Sequence, residues 1–477
     1  MGKKKSISIE DFLKKTCGVT VNANAQKIIK ECDDWYSNKE TDFHKKVNVN
    51  GVSYTIDSLN FAKRCCEDDA NLCELVEVNA GYNEQQYDEI NAILKRNRFG
   101  RMYRKQLERV SADGTVGAYM SLVNVKGIEE GETPIVTSAD AKLNYCYADG
   151  IFPITIENDD IIECAFYGQN TVKGAKEDVC VVFLLGGDGK YTADSYYFVN
   201  GVEDANRRTH FTLGEVKPFA IMRTAQVNNI DDMDGYGYPK LYTAIPVLKC
   251  LDLAFYILFG DLDKGEKLVF INELLACISK GADGKSYLTQ QQKELFVLLG
   301  EKLPTQNNII YEYNPELRIK EMTEIFETLL SILSMSFGFG TKKYTFENGQ
   351  IKTASEYIGE RQDCMQEVNK QRVEATDYIE SIVKMIMWSE NKFNNGNYDL
   401  DNAEIHIDFD DSYVEDKPSQ IERERNDALS FDIPELKVKY LMDAYNYDEE
   451  EAKRLVYRTE EDKLNKDTND ANIGEEE

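Results

Sequence analysis

The sequence predicts an α+β protein, mainly helical, and three observations carry that expectation. Apolar residues recur at three- and four-residue spacing through most of the first hundred positions and again beyond residue 240. Between Gly117 and Met222 the spacing falls to two. A mostly polar helical stretch then runs unbroken from Thr353 to about Phe393. At 477 residues the chain is too long for one simple core, so two to four domains are expected.

Composition narrows the class. Hydrophobic residues make up 42% and aromatic residues 11%, enough to build packed cores although 30% of residues are charged and the mean hydropathy is −0.50. The formal net charge of −29 disfavours ordinary DNA or RNA binding through a basic, counterion-releasing face; nucleic acid near this protein should slide past it. Eleven scattered cysteines without CxxC spacing read as reduced thiols of a cytosolic protein. Lys3-Lys4-Lys5 is followed by polar residues rather than an apolar run, so no signal peptide is expected. The most apolar stretch, Leu241 to Phe259, is interrupted by Pro246, Lys249 and Asp252 and falls short of a clean membrane span.

The elements follow in order. From Asp11 to about Leu107 the helical spacing is carried by Ile28, Ile29 and Trp35, by Leu59, Phe61 and Ala62, by Leu72, Leu75, Val76 and Val78, and by Tyr87, Ile90, Ile93 and Leu94. An antiparallel β subdomain is expected from the runs Tyr119–Val123, Ile151–Ile156, Ile161–Tyr167, Val179–Leu185, Ser195–Phe198 and Thr209–Leu213. Gly186-Gly187-Asp188-Gly189-Lys190 has the glycines of a phosphate loop, but Tyr191 stands where Ser or Thr is needed and a strand follows, so a hairpin turn is expected.

After Gly235–Pro239 comes a helix, Leu241 to Phe259, apolar around much of its circumference, which requires neighbours on more than one side. A small mixed segment over 267–315 should hold a strand at Lys267–Ile271, a turn at Gly281–Gly284, a short helix near Gln290–Leu299 and a strand at Asn308–Tyr313. A second apolar helix, Arg318 to about Phe337, presents Ile319, Met322, Ile325, Phe326, Leu329, Ile332 and Leu333; each buried side chain contributes on the order of 2 kcal/mol. It breaks on Phe337-Gly338-Phe339-Gly340, and the following loop ends where Thr353 and Glu356 form a capping box for the long helix. That helix would extend roughly 60 Å at 1.5 Å per residue. Its ordinary core face is confined to Tyr378, Ile379, Ile382, Val383, Ile386 and Trp388, so its earlier part should meet solvent, a lumen or other subunits. A strand Ala403–Phe409, short helices at Ser419–Leu429, Ile433–Tyr445 and Asp448–Thr459, and an acidic tail close the chain.

Few residues suggest chemistry. His406, Asp408 and Asp410 alternate on one strand face, where a divalent metal could in principle sit, but a solvated edge face explains them without any ligand and is the better reading. Asp231-Asp232-Met233-Asp234 lacks the alternating ligand spacing of a calcium loop and reads as a surface turn. None of the three histidines, His44, His210 and His406, lies in a nucleophile motif. Gly338-Phe339-Gly340 follows a helix and lacks the third glycine of a dinucleotide loop. Lys342 and Lys343 place two positive charges on that loop in an acidic protein, suited to transient contact with phosphates or simply to solvation.

The order of these elements resembles the portal proteins of tailed bacteriophages, in particular the siphophage type of Gram-positive hosts. The residues carrying the resemblance lie mainly in the last half: Lys217-Pro218-Phe219-Ala220 leading to Arg223, Gly237-Tyr238 with Ala244-Ile245 and Leu251-Asp252, Gly265-Glu266-Lys267, Ile351-Lys352-Thr353-Ala354-Ser355-Glu356, Asp408 to Asp416, and Glu449-Glu450-Glu451-Ala452. The resemblance implies a portal fold with wing, stem, clip and crown around a central channel. The wing would span 1–240, the stem helices 241–266 and 318–338, the clip 267–317 and the tunnel loop 339–352. The long helix and its return to the wing would take 353–413, the crown 414–462 and a disordered acidic tail 463–477.

It further implies a dodecamer at one capsid vertex of a virion, assembled in the host cytoplasm, that initiates capsid assembly and passes double-stranded DNA during packaging and ejection. Its partners would be the terminase large subunit, a head–tail adaptor, the major capsid protein and a scaffolding protein, with no membrane. Phe339, Lys342, Lys343, Tyr344 and Asn348 would belong to the tunnel loop, and Leu288, Gln291 and Glu294 to the partner-binding clip. No enzymatic activity and no cofactor are expected; without a Walker A sequence, packaging ATPase activity falls to a partner. The alternatives are a metal-dependent nuclease or hydrolase built on His406, Asp408 and Asp410, and a peripheral adaptor without a channel.

Overall fold

The N-terminal helices begin where a side chain can accept their free N–H groups. Ser8 caps α1 (Ile9–Cys17), its Oγ accepting from the Asp11 N–H at 3.2 Å, and Gly18 ends it at φ 71°. Asn22 caps α2 (Ala23–Tyr36) by accepting from Asn24 at 2.9 Å. A short hairpin of β1 (Lys45–Val47) and β2 (Ser53–Thr55) precedes α3 (Phe61–Ala70) and β3 (Leu75–Ala80); Asn83 then caps α4 (Glu84–Arg96), and α5 (Phe99–Asp113) follows. The computed structural model describes residues 8–47, 53–128 except 82, 135–265 except 173, 268–272, 296–299, 310–344 and 354–410, then 425, 426, 428, 430, 433–445, 447, 448 and 451–457. The chain divides into two units, Met1–Ile407 and Asp408–Glu477.

The β region comprises β4 (Thr115–Ile128), β5 (Ile135–Tyr147), β6 (Ile151–Glu157), β7 (Asp160–Val172), β8 (Ala175–Leu185), β9 (Tyr191–Val199), β10 (Val202–Glu203), β11 (Thr209–Thr212) and β12 (Phe219–Arg223). A six-stranded antiparallel sheet runs β10-β9-β8-β7-β6, with β11 also on β9, and a three-stranded sheet runs β12-β4-β5. Phe166, Phe183 and Phe219 interlock with Tyr119 between the sheets at centroid distances of 5.0 to 5.9 Å. The opposite face of the larger sheet is covered by Phe12 and Leu13 of α1, against Phe152, Ala165, Val182 and Phe198. Burial on both faces explains why the strands read as apolar runs rather than clean alternation. Gly186–Lys190 forms the β8–β9 turn, closed by the Gly186 N–H on the Lys190 carbonyl at 2.8 Å.

Beyond the sheets lie α6 (Lys240–Lys264), a small sheet of β13 (Leu268–Asn272), β14 (Phe296–Leu299) and β15 (Ile310–Tyr313) in the order β14-β13-β15, and α7 (Ile319–Ser336). Then come α8 (Ala354–Phe393), β16 (Ile405–Phe409) and α9 (Pro434–Tyr445), with a further helical stretch at 451–457. In the second unit Val438, Ala452 and Val456 pack together with Leu441 and Met442, and Asp448 accepts the Glu451 N–H at 2.7 Å.

Four expectations are corrected. Leu75, Val76 and Val78 lie on β3, because the distant β16 pairs with it; their spacing fits either period. β5, absent from the expected runs, joins the β region; two of its buried residues, Ala139 and Ala141, are too small to stand out in the sequence and leave Leu143 isolated between them and the polar positions. Phe296–Leu299, placed at the end of a short helix, is a strand parallel to β13. The middle of α8 packs on its own chain, through Cys364, Val368, Gln371 and Ala375 at helical spacing. Residues this small let α8 lie close to β12, and Gln371 reaches across to donate to the Arg223 carbonyl and accept from the Ala225 N–H, both at 3.0 Å.

The seam between helices and sheets is held by a buried ion network. Arg109 meets Asp33 at 2.7 Å and Asp113 at 2.5 Å, its guanidinium lying over the rings of Tyr36 and Tyr147. Immediately after Asp113, Gly114 adopts φ 81°, and a Cβ there would meet the Gly237 carbonyl at 2.3 Å, so only glycine lets the two backbones touch. Asp113 is fully buried and neither carboxylate oxygen has an aligned hydrogen-bond donor. Burial pushes its carboxyl up to about 7, against the opposing pull of Arg109. A carboxyl raised in the fold stays protonated while its unfolded counterpart ionises, so its contribution to stability falls as pH rises from about 4 to about 7. The thermal midpoint of Asp113→Asn relative to the wild type should therefore rise by a few degrees between about pH 4 and pH 8; a difference independent of pH would refute this.

Candidate functional site

α6 continues through Pro246, Lys249 and Asp252, the three residues that interrupt its apolar pattern. Its first half is buried within this chain: Leu241, Ala244, Ile245, Leu248 and Leu251 pack among α2, α3 and α5. Asp252 closes that half. It accepts the Leu59 N–H at 2.8 Å and lies 3.2 Å from His44 Nε2. The Thr41 N–H lies 3.3 Å from His44 Nδ1, so the ring is held between Thr41 and Asp252. Burial raises the Asp252 carboxyl, and the Leu59 and His44 hydrogen bonds oppose that. No local pattern announces this pair, whose members stand 208 residues apart.

Past Asp252 the character changes. Leu253, Ile257, Phe259 and Leu262 of α6 are exposed, as are Ile319, Ile325, Ile332 and Met335 of α7, with Phe259 and Met335 each at 60%. The two helices run antiparallel, for Arg318 at the start of α7 holds Asp261 near the end of α6 through both carboxylate oxygens at 2.7 to 2.9 Å. On one side of the pair lies an apolar groove of about 310 Å³, floored by Phe255, Leu258, Met322, Phe326 and Leu330 and walled by Leu59 and Phe61. By helical spacing Leu253 and Ile257 point away from Phe255 and Leu258 on α6, while Ile325 and Ile332, seven residues apart, lie about a third of a turn round α7 from Met322, Phe326 and Leu330. The rods thus carry, besides the groove, exposed apolar side chains that do not line it. By length and composition Lys240–Asp263 could also cross a bilayer, although its inner half is packed in protein.

The chain leaves α7 through a Schellman turn. The Gly338 N–H donates to the Met335 carbonyl and the Phe339 N–H to the Ser334 carbonyl, both at 3.0 Å, with Gly338 at φ 79°. Phe339 stacks on buried Phe337 and meets Tyr344 edge-on, while Lys343 Nζ lies 5.7 Å from the Phe339 ring centre. Ser334 Oγ accepts the Tyr344 N–H at 3.2 Å, and the Tyr344 hydroxyl donates to Asp68 at 2.8 Å. Of the five loop residues singled out in the sequence, Phe339 is therefore buried and Tyr344 half-buried, both anchoring the base of the loop. Lys342 is exposed and Lys343 half-buried. Asn348 and Thr353 lie outside the described residues; Glu356 falls in the first turn of α8, where side chains are not described. Leu288, Gln291 and Glu294 also lie outside the described residues.

The alternative site gains no geometry. His406 is exposed on β16 with Nε2 3.8 Å from Glu404, Asp408 is exposed, and among the described residues no group of three His, Cys, Asp or Glu side chains is placed to hold a metal ion.

No family model matches the sequence, and no curated protein does. Among solved structures the chain is similar to one described as the neck of an empty GTA particle computed with C6 symmetry, at 11% identity over 77% of this chain and 84% of that one, with a TM-score of 0.37.

The Schellman turn depends on Gly338. A Cβ there would combine left-handed backbone strain with a 2.6 Å approach to Glu367 Cγ on α8. Gly338→Ala should destabilise the protein by roughly 1–2 kcal/mol in chemical denaturation. An unchanged midpoint would show that the turn does not hold the loop.

Proposed function

We propose that this chain is the subunit of a portal-type ring, a dodecamer at one capsid vertex of a phage-like virion through which double-stranded DNA is packaged and ejected. In this reading the protein is structural rather than enzymatic. The segment 267–317 docks the terminase large subunit and later a head–tail adaptor, and the major capsid and scaffolding proteins surround the ring during assembly in the host cytoplasm.

The observation that carries the reading is an open apolar groove on one rod pair together with exposed apolar side chains of the same rods that do not line it. Two complementary but distinct surfaces associate head to tail, and head-to-tail contacts that close make a ring. The exposed side chains of one copy, Ile325 and Ile332 with Leu253 and Ile257, would fill the groove of the next. Covering it removes side chains from water that a single chain leaves exposed, at roughly 25 cal/mol per Å². The acidic balance supports a bore that duplex DNA traverses without adhering. The resemblance in element order noted in the sequence points the same way.

Mass photometry and end-on negative-stain averages of the purified protein test the proposal. Closed rings are expected. Ile325→Glu combined with Ile332→Glu should abolish them while leaving the circular dichroism and thermal midpoint of the monomer nearly unchanged, because both positions are exposed in the single chain. A wild type that stays monomeric even with scaffolding protein, a double variant that still forms rings, or partition of the wild type into lipid vesicles would each overturn the reading.

A further inference from the structure

Two adjacent carboxylates on α3 hold two segments far apart in the chain. Asp68, only 5% exposed, accepts the Tyr344 hydroxyl at 2.8 Å and is steadied by Arg64, whose Nη2 lies at 3.0 Å and Nε at 3.1 Å. Asp69 receives Lys240 Nζ on both oxygens, at 3.0 and 3.1 Å, and also accepts the Ser111 hydroxyl. Tyr344 belongs to the loop that follows α7, and Lys240, 2% exposed, is the first residue of α6. Successive positions on a helix point about 100° apart, so the two carboxylates face different neighbours while sharing one stretch of backbone.

A second path joins the same two places. Gly338, at the start of the loop, lies directly beneath Glu367 of α8, and Glu367 is also close enough to Lys240 for its charge to favour the ammonium. Burial works against the charged Lys240, and Asp69 with Glu367 behind it more than reverses that, raising its proton affinity. An ammonium buried this way cannot part from Asp69 without leaving an uncompensated charge in the interior, so the Asp69 side of α3 is stiff. The Tyr344 side is lighter, a neutral hydroxyl on a carboxylate with its ring against Phe61 and Phe339.

We infer that α3 is a coupling bracket: Asp68 and Asp69 tie the position of the loop after α7 to the first turns of α6, so that a displacement of Tyr344 is transmitted to Lys240 and the reverse. The linkage operates inside one chain and goes beyond the ring reading, so it stands or falls whether or not rings form. Coupling of this kind is reciprocal, and both directions are open to measurement.

Hydrogen exchange followed by mass spectrometry on the full chain supplies the test. Tyr344→Phe keeps the ring contacts and deletes only the hydroxyl. It should speed exchange in 338–344 by about three- to tenfold, the equivalent of one ordinary hydrogen bond, and speed 241–248 by at least about twofold. In the opposite direction Asp69→Asn, which keeps the shape but removes the charge facing Lys240 and turns one of the two accepting oxygens into a donor, should loosen 338–344 as well as 241–248. Exchange over 179–185, in the centre of the six-stranded sheet, should not change in either variant. Acceleration confined to 338–344 in Tyr344→Phe, or to 241–248 in Asp69→Asn, would overturn the bracket, as would an equal rise over 179–185, which would mean only general loosening.

Discussion

The architecture depends on one constraint: α6 and α7 bear more apolar surface than a single copy of the chain can remove from water. The inner half of α6 is satisfied by α2, α3 and α5, and there the hydrophobic effect does its ordinary work, about 2 kcal/mol for each large side chain covered. The outer half has no such cover. Phe259, Leu262, Ile325, Ile332 and Met335 remain exposed although the chain has ample polar residues to place there. Scattered surface hydrophobes need no explanation, but an apolar groove together with several exposed apolar side chains on the same helix pair does.

The remainder of the first unit serves to hold these rods rigidly. The two β-sheets close on an interlocked aromatic core, and α8 lies against β12 because small residues let it approach. Gly114 and Gly237 bring the end of α5 against the segment leading into α6. Polar anchors are placed where the rods begin and turn: Lys240 on Asp69 at the entry, His44 on Asp252 at the point where burial gives way to exposure, and Arg318 on Asp261 near the outer end. The first two pairs are buried and the third is exposed; the buried ones contribute less to net stability than to fixing register, since hydrophobic pairs of the same volume would hold the helices without specifying where they sit. The network around Asp113 is the counter-case, a carboxyl whose burial costs stability at neutral pH and is tolerated at the seam between helices and sheets.

Much of this could be read from residue patterns, and the failures have physical reasons. The α+β class, the two apolar rods, the break at Gly338 and the long helix followed from periodicity and capping chemistry, because those are local properties. The strand at Leu75–Ala80 was hidden, since Leu75, Val76 and Val78 suit a helix until a strand some 330 residues away pairs with them, and strand preference is set largely by such context. Ala139 and Ala141 concealed β5 by being small, and four apolar residues at Phe296–Leu299 are too few to separate helix from strand. At the candidate site the loop residues were legible as a group but not in their roles: Phe339 and Tyr344 anchor rather than project, and nothing near Tyr344 in sequence announces Asp68, 276 positions away. The groove was equally invisible, because it needs Leu59 and Phe61 from one end of the chain and Phe326 from another.

The central claim is that the rods close around a bore with the loop after α7 turned inward. An averaged electron cryo-microscopy map of the assembled protein, with Lys342 replaced by cysteine and labelled with a gold cluster, tests it most directly. The account predicts label density lining a central channel, with Ile325 and Ile332 buried between neighbouring copies. Label density on the outer rim, with those two isoleucines facing solvent, would contradict it.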